Sequence, residues 1–217
     1  MHPPLMRALE MVGSDLDLFG CPWCGSHDRE RHVYMYLNAL SILDDISNMH
    51  ILHFAPERIL SQYIEKREPK KYIKADLFPT SDDVLKIDLL DIPIDTCSID
   101  ILFANHILEH VIDDLRALSE IYRVLRPGGY AILQTPYSNM LKHTWSDSGV
   151  SSPEARLHAY GQEDHVRLYG KDIFDRFEMA GLKSCVRTHE SVLSHIDRFE
   201  YGINSSEPFF LFQRPAL

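Results

Sequence analysis

The sequence is short of several things, and each shortage removes a class of protein. Cysteine is scarce, four in 217 residues, and Cys97 and Cys185 stand alone, so no secreted disulfide framework is expected. Basic residues are outnumbered, 22 Lys and Arg against 32 Asp and Glu. The resulting formal charge of −10 argues against a nucleic-acid partner, because phosphate contacts need clustered cations. No apolar run reaches the roughly 20 residues of a membrane span. The opening MHPPLMRALEM lacks the pattern of a signal peptide, so a cytoplasmic location without a membrane partner is expected. Glycine is missing where a dinucleotide-binding protein concentrates it: His53-Phe54-Ala55-Pro56-Glu57 holds no G-x-G-x-x-G turn, which counts against an NAD-dependent oxidoreductase.

What is present reads as one soluble α/β domain. Hydrophobic residues make up 45% and charged residues 25%, and 25.1 kDa is enough for a full core. Residues 50–54 read as a first core strand. Pro56 suits the first turn of the next helix, whose buried stripe is Ile59, Leu60, Tyr63 and Ile64. Residues 72–75 make a second strand ending at Asp76, and 84–87 a short third before Asp88. Residues 99–104 are apolar but for Asp100, the composition of a strand buried on both faces. Leu115, Leu118, Ile121, Tyr122 and Leu125 then recur at helical spacing. Asp113 and Asp114 open that helix and Arg123 and Arg126 close it, matching its dipole. Pro127-Gly128-Gly129 stops it, and 130–135 reads as the next strand. A helix with Ile173, Phe174 and Phe177 ends at Gly181, and 182–188 and 208–213 read as the last strands. Strand, helix and strand joined by short turns imply right-handed crossovers in a parallel sheet, with a ligand at its switch point.

Three of these features also resemble a known family. They are D-x-x-D-x-P from Asp88 to Pro93, the strand ending ahead of Leu108-Glu109-His110, and the Arg126-Pro127-Gly128-Gly129 stop. Together they resemble a class I S-adenosylmethionine-dependent methyltransferase, most specifically between Asp88 and Thr135. The resemblance implies a doubly wound, Rossmann-like sheet of seven mostly parallel strands with helices on both faces. It implies S-adenosylmethionine as cofactor, lying across the carboxyl ends of the strands. Asp76 would accept hydrogen bonds from both ribose hydroxyls, as a carboxylate at a strand tip can, or else serve as a loop or cap carboxylate. Asp88 would accept the adenine amine, with Leu89 packed on the ring. His53, Ala55 and Glu57 stand where a typical member has a D/E-x-G-x-G turn. Ala55 is small enough for close approach, and Glu57 is expected to pair with the donor's ammonium group. Asn105 and His106 would lie near the sulfonium. His106, with His165 and Arg167, is expected to handle the acceptor, a neutral His being able to take its proton. A structural clamp is an equal reading for His165 and Arg167. Glu109 and His110 read first as a structural pair at a helix start.

Residues 1–48 form an N-terminal segment ahead of a methyltransferase-like domain at 49–217. Cys21-Pro22-Trp23-Cys24-Gly25 is half of a zinc ribbon. Structural zinc needs four soft ligands and no second C-x-x-C exists, so a metal-free turn is expected, with no metal at the reaction site. Residues 28–43 read as a helix whose Arg29, Arg31 and His32 either strap the donor pocket or form a solvated face. The stretches 137–170 and 189–206 are expected to be substrate-side loops. The expected function is methyl transfer to an oxygen or nitrogen of a small molecule or sugar. The rival is a non-catalytic binding or scaffold protein on the same fold, and no residue pattern speaks to oligomeric state.

Overall fold

A row of short strands, several of them preceded by a helix, carries the structure. The computed structural model describes residues 4–14 and 19–216. The strands are β1 (Met11–Val12), β2 (His50–Phe54), β3 (Lys71–Asp76), β4 (Leu85–Lys86), β5 (Ile99–Ala104), β6 (Leu125–Ile132), β7 (Tyr137–Ser138), β8 (Lys183–Ser184) and β9 (Leu211–Gln213). The α-helices are α1 (Pro4–Ala8), α2 (Asp28–Ala39), α3 (Arg58–Glu65), α4 (Asp114–Val124), α5 (Pro153–Tyr160), α6 (Ile173–Met179), α7 (His189–Val192) and α8 (Arg198–Tyr201).

Seven strands form one sheet in the order β4-β3-β2-β5-β6-β9-β8. From β4 to β6 every pairing is parallel, and β9 runs antiparallel to both β6 and β8. This is the doubly wound arrangement expected, and the chain reverses direction across the sheet between β2 and β5. One apolar cluster includes Leu52, Leu102, Leu118, Ile121, Phe177 and Phe210; another includes Leu37, Ile51, Ile64, Phe103 and Phe209. Alternate residues of β2 and β5 feed different clusters, as the strand period requires.

Local differences from the sequence reading have physical causes. Leu115 is exposed, because α4 turns Ala117, Leu118, Ile121 and Val124 inward instead. Pro127-Gly128-Gly129 lies inside β6 rather than between helix and strand. A side chain at Gly129 would meet the Arg126 and Asp100 carbonyl oxygens at 3.0 Å, so only glycine lets β6 run this close to β5. Asp100, the lone charge in its strand, accepts the His50 N–H at 2.7 Å and pairs with Arg126 at 2.6 Å. The N-terminal segment is built into the fold: β1 pairs with β7, and Tyr36 of α2 stacks on Phe209 at 4.8 Å. Cys21 and Cys24 shape a turn in which Cys21 N–H donates to Ser26 O and Gly25 N–H to Cys21 O. The stretch 137–170 contains α5, whose Tyr160 packs with Met6 and Leu168, and 189–206 contains α7 and α8.

Asp114 is the strongest tie between α4 and the later chain. It accepts from Arg176 Nε at 2.9 Å and Nη2 at 2.7 Å and from the Tyr169 hydroxyl at 2.9 Å, with Arg167 Nη1 at 3.3 Å. Burial works to raise its pKa, but the Arg176 and Arg167 guanidinium groups outweigh that and hold it below the usual range. A depressed carboxyl stabilises the fold above its unfolded pKa of about 4, and the contribution is lost as acid titrates it. Asp114→Ala strands the buried Arg167 and leaves the half-buried Arg176 without its carboxylate. It is expected to cost about 3 kcal/mol and lower Tm by about 10 °C at neutral pH, with a smaller deficit in acid, as differential scanning calorimetry would register.

Candidate active site

The turn after β2 is where the backbone is most constrained. Ala55 sits at φ +44°, the left-handed region that glycine adopts freely, and its N–H donates to Ala75 O at 2.8 Å. Glu57 precedes α3, yet its side chain does not cap that helix. Instead Glu57 Oε2 lies 2.7 Å from His53 Nε2, and Oε1 accepts from Asn105 Nδ2 at 3.1 Å. His53 Nδ1 lies 2.8 Å from the Tyr72 hydroxyl, and Asn105 Oδ1 accepts from Gln134 N–H at 3.2 Å. Gln134 goes on to Pro208 O and Phe210 N–H. A continuous polar belt thus crosses the carboxyl ends of β3, β2, β5 and β6. Burial acts to raise the Glu57 pKa, and the His53 and Asn105 hydrogen bonds reverse it, so the carboxyl lies below its ordinary range. His53, expected at the donor, is fully buried against Phe103 and serves instead to orient Glu57.

Beside the belt opens a cavity of about 630 Å³. Ala55, Asp76, Phe78, Asp88, Leu89 and His106 are among its lining residues. Asp76 Oδ1 accepts the Phe78 N–H at 2.8 Å and Asp88 Oδ1 the Leu90 N–H at 2.9 Å. Each carboxylate is aimed by its own turn, with its second oxygen outside that bond.

A smaller cavity, about 380 Å³, lies next to it under the N-terminal segment, with Met6, Met11, Phe19, Arg29, Glu109 and His165 on its walls. His106 and His110 line both cavities. His106 also has a left-handed backbone, φ +55°, fixed by its N–H to Gln134 O at 2.6 Å. Its Nε2 is buried without a hydrogen-bond partner. Burial, then Arg29 and the neighbouring histidines, depress its pKa well below the usual value, so it is neutral at physiological pH. Glu109 is not at a helix start, since α4 begins at Asp114 with Asp113 as its cap. The Glu109 side chain turns inward, Oε2 has no partner, and burial pushes its carboxyl up to about 8. His165 Nδ1 lies 3.1 Å from Tyr160 O and its Nε2 is also unpartnered.

Arg167 takes the structural one of its two expected roles. Its guanidinium donates to Leu108 O at 3.1 Å and Ile112 O at 2.7 Å and lies against Asp114, which makes it a clamp on the loop after β5. It lines neither cavity. Of the expected residues, Ala55, Asp76, Asp88, Leu89 and His106 meet at the larger cavity, and His165 stands in the smaller one. Glu57 and Asn105 are in the belt. Arg29, read either as a strap over the donor pocket or as part of a solvated face, lines the smaller cavity, and Glu109 and His110 were legible only as a polar pair past a strand.

A methyltransferase-domain family model matches residues 51–133, the stretch from β2 to the end of β6. Structures of S-adenosylmethionine-dependent methyltransferases from Mesorhizobium loti and Archaeoglobus fulgidus superpose with TM-scores of 0.52 each, at 14% and 12% identity. The first match covers 82% of this chain and 95% of that one, the second 84% and 94%. The chain folds as a class I methyltransferase domain. The chloroplastic 2-phytyl-1,4-beta-naphthoquinone methyltransferase of Arabidopsis thaliana is 36% identical over 87 residues, 38% of this chain. The matched segment spans a third or less of the curated relatives' length.

S-adenosylmethionine is the methyl donor of this fold family, and the larger cavity fits it. Two aimed carboxylates stand on its wall beside apolar side chains, and the left-handed Ala55 reproduces the backbone that glycine would supply. Asp88→Ala removes one charge-assisted acceptor. It is expected to weaken binding of S-adenosylhomocysteine about tenfold or more in calorimetric titration, and unchanged affinity would place the donor elsewhere.

Proposed function

We propose that the protein is an S-adenosylmethionine-dependent methyltransferase acting on an oxygen or nitrogen of a small molecule or sugar. One observation carries this reading: two adjacent cavities share only His106 and His110 among their lining residues. A donor and an acceptor bound one on each side would meet at those imidazoles, which is what an in-line displacement needs. Bound in the larger cavity, S-adenosylmethionine supplies an electrophilic methyl group on its sulfonium.

The chain's own residues position and prepare the partners. Asp76 and Asp88 hold the adenosine hydroxyls and amine, and Leu89 packs against the ring. Ala55 leaves room for the backbone to approach, and Glu57, kept charged by His53 and Asn105, offers its carboxylate to the ammonium group. His106 Nε2 is buried and unpartnered, as His165 Nε2 is, but His106 lines both cavities, so it is the one placed to take a proton from the acceptor beside the donor. His165 and Arg29 offer polar contacts from the facing wall, and Met6, Met11 and Phe19 cover an apolar portion.

A second reading rests on the glycine-free turn. A left-handed Ala55 costs about 1 kcal/mol that glycine would not, which suits a scaffold protein that has lost its donor. Titrating S-adenosylmethionine and S-adenosylhomocysteine into the protein separates the two: micromolar binding of both supports the enzyme, and no binding by a folded sample supports the scaffold. For an acceptor found by transfer of a labelled methyl group, His106→Ala is expected to lower turnover about 100-fold or more and leave donor affinity within about twofold. Equal turnover would remove His106 from the chemistry.

A further inference from the structure

We propose that Glu109, His110 and His165 form a binding site for one divalent first-row transition ion, with zinc or iron(II) as the natural class. The ligand atoms of all three lie within 4.8 Å of one another on the lining of the smaller cavity, which His110 shares with the larger one. Tetrahedral coordination with bonds of about 2.1 Å separates ligand atoms by roughly 3.4 Å, so small side-chain rotations close the site.

Each ligand is prepared in the way metal ligands are. A metal-bound histidine normally donates its other ring N–H to a carbonyl or carboxylate, which fixes the tautomer and orients the ring. His165 Nδ1 lies 3.1 Å from Tyr160 O, which leaves Nε2 with a lone pair, and that atom is buried with no partner. His110 Nδ1 lies 3.2 Å from Asp164 Oδ2, which frees its Nε2 in the same way. Glu109 Oε2 is a buried oxygen without a donor. Buried polar atoms nearly always have partners, and two unpartnered atoms of ligand type on the same cavity wall, Glu109 Oε2 and His165 Nε2, form a site that a cation would complete by displacing the carboxyl proton.

Two imidazoles and one carboxylate match borderline ions rather than calcium or magnesium, which prefer all-oxygen shells. Three protein ligands leave at least one coordination position open to the smaller cavity. On the methyl-transfer reading, that position orients an acceptor through an oxygen atom next to the donor.

The test uses untagged full-length protein stripped with chelator and titrated with Zn²⁺, with Co²⁺ absorption as a spectroscopic readout. One ion per chain is expected, with a cobalt spectrum of nitrogen and oxygen ligation. His165→Ala and the rim variant His110→Ala are each expected to lower affinity more than about 100-fold, and Asp164→Asn about tenfold. His158→Ala, at an exposed histidine, is expected to change nothing. No uptake by folded protein, or undiminished uptake by both ligand variants with folded circular-dichroism spectra, overturns the site. S-adenosylhomocysteine binding measured on the same stripped sample keeps the two readings apart: donor binding without ion uptake overturns the metal site alone, and ion uptake without donor binding supports it while methyl transfer falls.

Discussion

A half-buried carboxylate, held in its charged form by two hydrogen bonds, governs the working end of this molecule. Glu57 is tied to His53 on β2 and to Asn105 past β5, so one acidic group spans the point where the chain reverses across the sheet. His53 is held in turn by Tyr72 on β3, and Asn105 by the Gln134 backbone past β6. Such a network is costly when half satisfied and rigid when complete, and here each member has its partner. The belt lets the strand tips stand at a fixed spacing without side chains filling the gap above them. Both cavities open along that line.

The two cavities differ in how well their polar groups are satisfied. On the larger side, Asp76 and Asp88 are aimed by hydrogen bonds within their own turns, leaving acceptors along an otherwise apolar wall. On the smaller side, His106, Glu109 and His165 each keep a buried atom without a partner. A protein interior tolerates that where a ligand or ion supplies what is missing. Two left-handed non-glycine residues, Ala55 and His106, mark the same line, and strain of this kind persists only where the surroundings over-determine it. The clamp on Asp114 from Arg167, Arg176 and Tyr169 is the opposite case: paired, and lining neither cavity itself, it holds from behind the loop that presents Glu109 and His110.

Misreadings of the sequence share a cause. Leu115 kept the helical spacing of its neighbours, but the helix turned a different stripe inward, and only packing chooses between stripes sharing several positions. His53, and Arg167 in the acceptor-handling one of its two readings, have functional side chains at plausible distances along the chain from a site. The first lies under the belt and the second behind the loop, and burial direction is not written in spacing. Glu109 and His110 read as a helix-start pair although the helix itself was read from Asp113; the turn between separates them from α4 and drops Glu109 into the interior.

Local pattern alone determined the order of strands and helices, the parallel sheet and the two carboxylates at strand tips. Periodicity, caps and strand-end residues act over a few residues, and those interactions are already present in the chain as a string. The methyltransferase-like segment from β2 to β6 was legible for that reason. Which histidines converge was decided only by tertiary structure. His165 lies 55 positions after His110, and they stand 4.7 Å apart, ring to ring, because the loop carrying His165 folds back over the end of β5. The same folding brought Arg29 from α2 to the wall opposite. Contacts between residues so distant in sequence depend on how whole elements pack, and no local rule encodes that.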